Sequence, residues 1–324
     1  MPDAIRAKTK LLLVKPEGTY GVSSAPTGDD AVLGTNFELM PMEGEDVSRD
    51  LEYPWLGQQE QYVTAQRGVL SFSTEVAPSG STGVAPKWGA LMRACAVSQT
   101  ITEDVPEVED PPADAVPGNV LYKPMTAAHE SVSVHFHWGP TRHIFLGARG
   151  TGVTEFNAQG IPRTRWTLTG IWVTPTAEAQ VTPDYSDWTA PEIVSNAKTP
   201  TFTVNGVSLV MRSLSFDMGN QVEPRFLVGK HEITIPDRAP QISVVVEATP
   251  LGTFDPFAIA NARTKVPVVL VHGTVAGART RLEALTCQLS RPAAAQVNQG
   301  IVEWPLVFRP LPDEGDDEWS LKLI

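Results

Sequence analysis

Three histidines stand close together: His135 and His137 within "SVSVHFHW" (131–138), and His143 just past Gly139–Pro140. Strand alternation puts Ser131, Ser133, His135 and His137 on one face and Val132, Val134, Phe136 and Trp138 on the other. With the turn centred on Pro140, His143 falls opposite His137, and three imidazoles on one polar face have the donors for a divalent metal. No carboxylate or cysteine nearby completes a ligand set, so the expectation is a polar, nearly uncharged sheet face and no metal. The run "EDVPEVEDPPAD" (103–114) gathers carboxylates. It lacks the D-x-D-x-D-G spacing of a calcium loop, and its prolines favour a solvated acidic flap. "GARGTG" (147–152) lies between strands rather than before a helix, so it offers no helix N-terminus to a phosphate. It reads as a hairpin turn with Arg149 exposed. The G-x-S-x-G, P-loop, H-E-x-x-H and C-x-x-C patterns are absent. No nucleophile–base pairing can be named, no cofactor is implied, and a non-enzymatic protein is expected.

What positions these residues is a β framework. The 324 residues include 28 prolines and 25 glycines at short intervals. That spacing breaks long helices and suits short strands joined by turns. "SVSVHFHW" and "RHIFLGA" make one hairpin, and "TGVTEFNA" and "RTRWTLTGIWV" make a second about Gly160. Sheets of this kind, apolar on one face and polar on the other, pack as antiparallel sandwiches. In "APKWGALMRACA" (85–96), Trp88, Leu91, Met92 and Cys95 draw one apolar helical stripe after Pro86. In "FDPFAIANARTK" (254–265), Asp255 caps a helix with Pro256 at its first position, and Phe257, Ile259 and Ala260 face a core. Cys95 and Cys287 read as two separate buried thiols. No run of 18 apolar residues exists, so no membrane span is expected. The three-leucine stretch near the start is too short for a secretory core, and the protein is expected to stay where it is made. A net charge of −12 argues against gripping DNA by its phosphates, but not against letting DNA pass. The six acids between 103 and 114 supply half of that charge, so acidity describes one segment rather than a working surface.

"QGI" occurs twice, at 159–161 and 299–301, an offset of 140. "LSFSTEVAPSG" (70–80) lies on "ISVVVEATPLG" (242–252) at an offset of 172, with Glu75, Pro78 and Gly80 on Glu247, Pro250 and Gly252. A helix follows each copy, then a strand ending in glycine at Gly139 and Gly273, then "QGI". The offsets differ by 32, and residues 97–128 form a Pro-rich acidic segment of that size in the first half only. The expected organisation is mainly β. Two tandem antiparallel β-sandwich or barrel domains, each with a short flanking helix, span 1–180 and 197–324, joined by a linker at 181–196. A convergent run of β-hairpins is the alternative.

Several stretches carry a resemblance. The opening residues hold "E-x-x-Y-G" (Glu17, Tyr20, Gly21), a "P-T-G" turn (Pro26–Gly28) and "P-x-E-G-E-x-V-x-R-D" (Pro41, Glu43–Glu45, Val47, Arg49, Asp50). With "HIFLGARGTGVTEFNAQGIPRTRWTLTGIW" and "LSFDMGNQVEPR…ITIPDRAPQISVVVEA", nearly the whole chain resembles the major tail, or tail tube, proteins of long-tailed, non-contractile bacteriophages. The stretch 100–118 has no counterpart.

The resemblance implies a β-sandwich with a flanking helix that builds stacked rings around a DNA-wide lumen. A long loop would reach neighbouring subunits, and no DNA would be bound specifically. Two fused copies would build a pseudo-sixfold ring from three chains. The implied partners are further copies of the chain, the tape-measure protein, the tail terminator and distal tail proteins, with no membrane, and the implied location is the virion tail, assembled in the host cytoplasm. The excursion 41–67 sits where the loop should be. Leu51, Tyr53, Trp55 and Leu56 there, and Phe226 and Leu227 in 220–237, are the expected stacking residues unless they fold back onto their own core. Ser131, Ser133, His135 and His137 are the expected lumen-facing residues. A tail-associated module that binds host glycans is the alternative function.

Overall fold

Alternating apolar residues draw most of the chain into strands, and closely spaced prolines and glycines end them. The computed structural model describes residues 4–105, 108, 109, 112, 113 and 117–324. The first half contains β1 (Lys10–Pro16), β2 (Ala31–Val32), β3 (Thr35–Ser48), β4 (Gln61–Glu75), α1 (Gly89–Arg93), β5 (Val97–Thr102), β6 (Val108–Glu109), β7 (Pro112–Ala113), β8 (Asn119–Pro124), β9 (Val132–Trp138), β10 (Thr141–Asn157) and β11 (Arg163–Ala177). The second contains β12 (Thr201–Val204), β13 (Val207–Ser208), β14 (Met211–Asp217), β15 (Glu223–Leu227), β16 (Lys230–Thr234), β17 (Gln241–Glu247), α2 (Pro256–Ala262), β18 (Lys265–His272), β19 (Thr280–Leu289), β20 (Gln296–Asn298), β21 (Ile301–Pro310) and β22 (Ser320–Leu323). The protein is mainly β, and these strand pairings are antiparallel.

Eight strands follow one another in a single sheet, in the order β3-β4-β11-β10-β14-β17-β21-β20. Its first four strands come from the first half and its last four from the second. A second layer covers it. There β10 leaves the sheet to pair with β9, which pairs with β1, while β18, β19 and β12 do the same in the second half. Phe72, Phe136, Phe156, Trp166, Phe216 and Phe308 fill one core between the layers, and the buried cluster runs through both halves. Gly68 is needed here because Phe145 lies across it: a Cβ at that position would meet the ring at 1.8 Å.

The two offsets read from sequence recur as one pairing register. Glu75, Phe72 and Leu70 pair with Arg163, Trp166 and Leu168. Adding 172 to the first set and 140 to the second gives Glu247↔Glu303, Val244↔Leu306 and Ile242↔Phe308, which are also partners. The ladders end alike, with Val76 N donating to Pro162 O at 3.0 Å and Ala248 N to Val302 O at 2.9 Å. Both "QGI" stretches are hairpin turns, with Gln159 and Gln299 in the left-handed region at φ 63° and 51°. Gly139 N donates to Thr9 O at 2.8 Å, and Gly273 N to Lys198 O at 2.7 Å.

Several expectations are corrected. The ends of segment 97–128 are not a flap: β5 and β8 pair, β8 pairs with the last strand β22, and Val97, Val120 and Tyr122 are core residues. Of its acids, Glu107, Asp110 and Asp114 lie outside the described residues. "GARGTG" is not a hairpin turn but the bulged middle of β10, and Arg149 is buried. Phe257 is exposed rather than in the core, because Pro256 and Phe254 take the buried positions at the start of α2. The Asp255 cap is present, its carboxylate accepting from Phe257 N and Ala258 N. The segment 181–196 lies against the first half. Trp188 Nε1 donates to Ala31 O at 3.1 Å, and Asp184 N to Gly28 O at 2.9 Å. Gly28 permits this approach, since a Cβ there would meet Thr182 O at 2.1 Å.

Candidate functional site

Side chains on the eight-stranded sheet alternate between the core and an open face. The open face carries Ser71, Thr167, Ser213, Ser215 and Ser243, with Ser71 Oγ 3.1 Å from Thr167 Oγ1. Its arginines include Arg67, Arg163, Arg165, Arg212 and Arg309, and all but Arg309 are tied to carboxylates, Arg67 reaching Glu43 at 3.2 Å. Arg165 reaches Glu38 at 3.1 Å and Arg163 reaches Glu75 at 3.9 Å. Arg212 Nε donates to both oxygens of Glu303, at 2.7 and 2.8 Å, and holds that carboxyl below its ordinary range. Cross-strand pairing of this kind leaves a polar surface with few free cations.

Two hairpins leave the sheet. β3 and β4 stay paired out to Ser48↔Gln61, and the tip beyond them is pinned by Leu51 N donating to Gln59 Oε1 at 2.7 Å. Trp55 is 68% exposed, Leu56 is fully exposed, and Tyr53 stacks on Trp55 with ring centroids 5.3 Å apart. None of them packs into the core cluster. In the second half, β15 and β16 form a hairpin at the corresponding place. Phe226 is half-buried against His231, Leu227 is exposed, and Val228 at the turn is 107% exposed. Sequence reasoning missed Val228, although its position directly before Gly229 marks it as the turn residue.

The expected lumen face of β9 is corrected by burial. Ser131, Ser133, His135 and His137 are all covered, because β9 lies between β1 and β10 and Glu17 closes over its polar side. Glu17 accepts from Ser131 Oγ at 2.7 Å, Ser133 Oγ at 2.9 Å, and the amides of Gly21 and Gly147 at 2.8 Å. The "E-x-x-Y-G" glutamate is therefore the partly buried centre of a polar cluster. His143 does not join the other two imidazoles. Arg142 is the partner of His137, and His143 pairs with Phe136 on the opposite face. Among the described residues no group of three His, Cys, Asp or Glu is placed to hold a metal ion.

Burial sets the protonation of these groups. It is the largest cause, ahead of the charge of Arg142, that lowers His135 to about 4. It also lowers His129, His137, His143 and His272. Unfolded, these imidazoles take up a proton near pH 6.5. Between about 6.5 and 4 the unfolded chain therefore binds more protons, and stability falls as pH drops through that window. The apparent Tm is expected to be lower at pH 5 than at pH 7, and His135→Gln should shrink the difference. A Tm that is flat across this range would contradict the burial of these rings. The thiols of Cys95 and Cys287 are free and buried, and burial pushes Cys287 up to about 12.

Among the described residues no helix is long and apolar enough to cross a membrane. A cavity of about 640 Å³ is lined by His129, Arg238, Arg309 and Glu318 among others. Arg238 there is committed to Asp316 at 2.6 Å and Glu318 at 3.0 Å, which makes it an anchor between segments. A broad polar sheet face with paired charges, together with exposed apolar hairpin tips, defines a β-sandwich protein of structural type. The sequence matches the phage tail tube protein family over residues 7–308, and the chain belongs to that family. It is thus a structural protein of the bacteriophage virion tail. A search of curated proteins finds no match to the chain.

Proposed function

We propose that this protein is the repeating unit of a non-contractile phage tail tube, with each chain supplying two fused copies of one tail-tube fold. The observation that carries this reading is the shared register: the offsets of 172 and 140 turn the pairing of β4 with β11 into that of β17 with β21. Three chains then make a pseudo-sixfold ring, and rings stack through the two hairpin tips. The open face of the eight-stranded sheet lines the lumen. DNA carries a charge about every 1.7 Å of its axis, and free lysines or arginines would hold it. Arg163, Arg165 and Arg212 are neutralised by Glu75, Glu38 and Glu303, which favours sliding. Tape-measure, terminator and distal tail proteins are the expected partners.

Negative-stain microscopy of the purified protein at rising concentration tests this. Rings or tubes with three chains per ring are expected. Protein that stays monomeric and binds glycans would establish the decoration-module reading instead.

A further inference from the structure

The seam between the halves is a strand pairing. β10 meets β14 with Val153↔Asp217, Thr154↔Phe216, Glu155↔Ser215, Phe156↔Leu214 and Asn157↔Ser213. Amides continue it at both ends, Met218 N to Gly152 O at 3.1 Å and Ala158 N to Arg212 O at 2.9 Å. Phe156, Leu214 and Phe216 are fully buried beneath it.

Each strand of this seam has a counterpart elsewhere in the chain. Glu155 pairs with Arg163, and Gln296 pairs with Glu303, the counterpart of Arg163. Gln296 in β20 therefore corresponds to Glu155. Likewise Ser71 pairs with Glu38, and Ser243, the counterpart of Ser71, pairs with Ser215, so Glu38 in β3 corresponds to Ser215. Both β3 and β14 also carry a register irregularity near their start. Among the described residues β3 has β4 as its only strand neighbour and β20 has only β21. The two counterparts of a buried seam are thus the two open edges of the same sheet.

We infer that β20 of one chain pairs with β3 of a second copy, antiparallel, with Gln296 opposite Glu38, Val297 opposite Phe37, Ala295 opposite Leu39 and Ala294 opposite Met40. This deepens the ring of fused halves proposed above and rests on it.

The edges have the required chemistry. Pairs that exchange hydrogen bonds in the seam include those of Thr154 and Phe156, which the correspondence carries to Ala295 and Val297. None of these is a proline, nor is Phe37 or Leu39; the nearest prolines, Pro41 and Pro292, fall just outside the paired stretch. The Phe37 carbonyl faces the free side, where Lys10 Nζ reaches it at 3.4 Å. Val297 is 72% exposed although its counterpart Phe156 is fully buried, and Met40 is half exposed. Exposed apolar residues on an unprotected edge are what a second strand would cover. On the open face the new cross-strand neighbours are Gln296 and Glu38, an amide against a carboxylate, with no like charges opposed.

A disulfide tests the register. Glu38 and Gln296 are exposed in the single chain. As a directly opposed pair outside the hydrogen-bonded positions, cysteines there would have Cα atoms within the 4.4–6.8 Å that a bridge needs. Assembled E38C/Q296C protein, oxidised, is expected to run as covalent dimers and trimers, the ladder ending at three. The single variants and S71C/Q296C, whose cysteines are one strand farther apart, should stay monomeric on the same gel. A second variant, Val297→Pro, removes only the amide facing the edge and should reduce ring formation at least tenfold while the thermal melt is unchanged. If rings form but E38C/Q296C gives no more bridges than the single variants, or if V297P assembles normally, the pairing is wrong and the tube reading stands. A ladder closing at six overturns the equivalence of the two seams. If the unsubstituted protein forms no rings at all, the tube reading fails and the pairing with it.

Discussion

Arg149→Ala is expected to lower stability by about 3 kcal/mol, the cost of removing one member of a buried, hydrogen-bonded charge cluster. Arg149 comes from the middle of β10 and is almost fully buried. Its guanidinium donates to Ile233 O at 2.7 Å, Glu232 Oε1 at 3.1 Å, His129 O at 2.8 Å and Glu130 O at 3.2 Å, and lies 4.9 Å from the Tyr20 ring. Tyr20 Oη completes the clasp by accepting from Ile233 N at 2.6 Å. A first-half strand and the "E-x-x-Y-G" tyrosine thereby hold the base of the second-half hairpin. Truncation leaves three carbonyls in two segments without this donor, and leaves Glu232 with only Lys230 as a charged partner. Lysine is no substitute, because one ammonium cannot reach all the acceptors that the planar fork of donors spans. By contrast, Arg165→Ala breaks an ion pair whose members are both about two-thirds exposed, and should cost less than about 1 kcal/mol. Thermal melts check the pair. Arg149→Ala should drop the apparent Tm by roughly 5 °C or more, with Arg165→Ala near the unsubstituted protein. Limited proteolysis should cut Arg149→Ala first around β15 and β16; equal melts for the two variants would mean that Arg149 clasps nothing.

That clasp shows where reading the sequence stopped. Glycines on both sides of Arg149 look like a turn, and only the passage of β10 through two layers makes them a bulge that buries an arginine. The histidine strand failed for a related reason. Alternation separates polar from apolar residues, but it cannot distinguish water from a covering carboxylate such as Glu17 as the partner of the polar set. What was legible rested on local rules. The hairpins about Gly139 and Gly160, the Trp88–Cys95 stripe, the Asp255 cap and the two buried thiols all follow from neighbours within a few residues. The offsets of 172 and 140 carried further than any of these, because a strand register is an arithmetic relation and survives divergence of the side chains. The seam of β10 with β14 lay beyond reach, since it joins strands that resemble each other only through their partners.

The hairpin tips give the second large effect. Trp55→Ala with Leu56→Ala is expected to leave the folded chain within about 0.5 kcal/mol of the unsubstituted protein, because neither side chain contributes to its core. On the proposed reading the same change should abolish tube growth. An aromatic anchor at a protein interface is worth about 2 kcal/mol or more, or roughly thirtyfold in affinity, and every chain of a ring presents one. Losses at equivalent contacts multiply, so stacking should fail at concentrations where single rings persist. Leu227→Ala with Val228→Ala asks whether the second tip plays the same part. If the fused halves occupy equivalent positions, it too should stop growth; if only the first tip matters, tubes will lengthen normally. The readout is tube length in negative stain beside a thermal melt of the same sample. Full-length tubes from both double variants would move the stacking contact to another surface and leave Trp55 without a role in assembly.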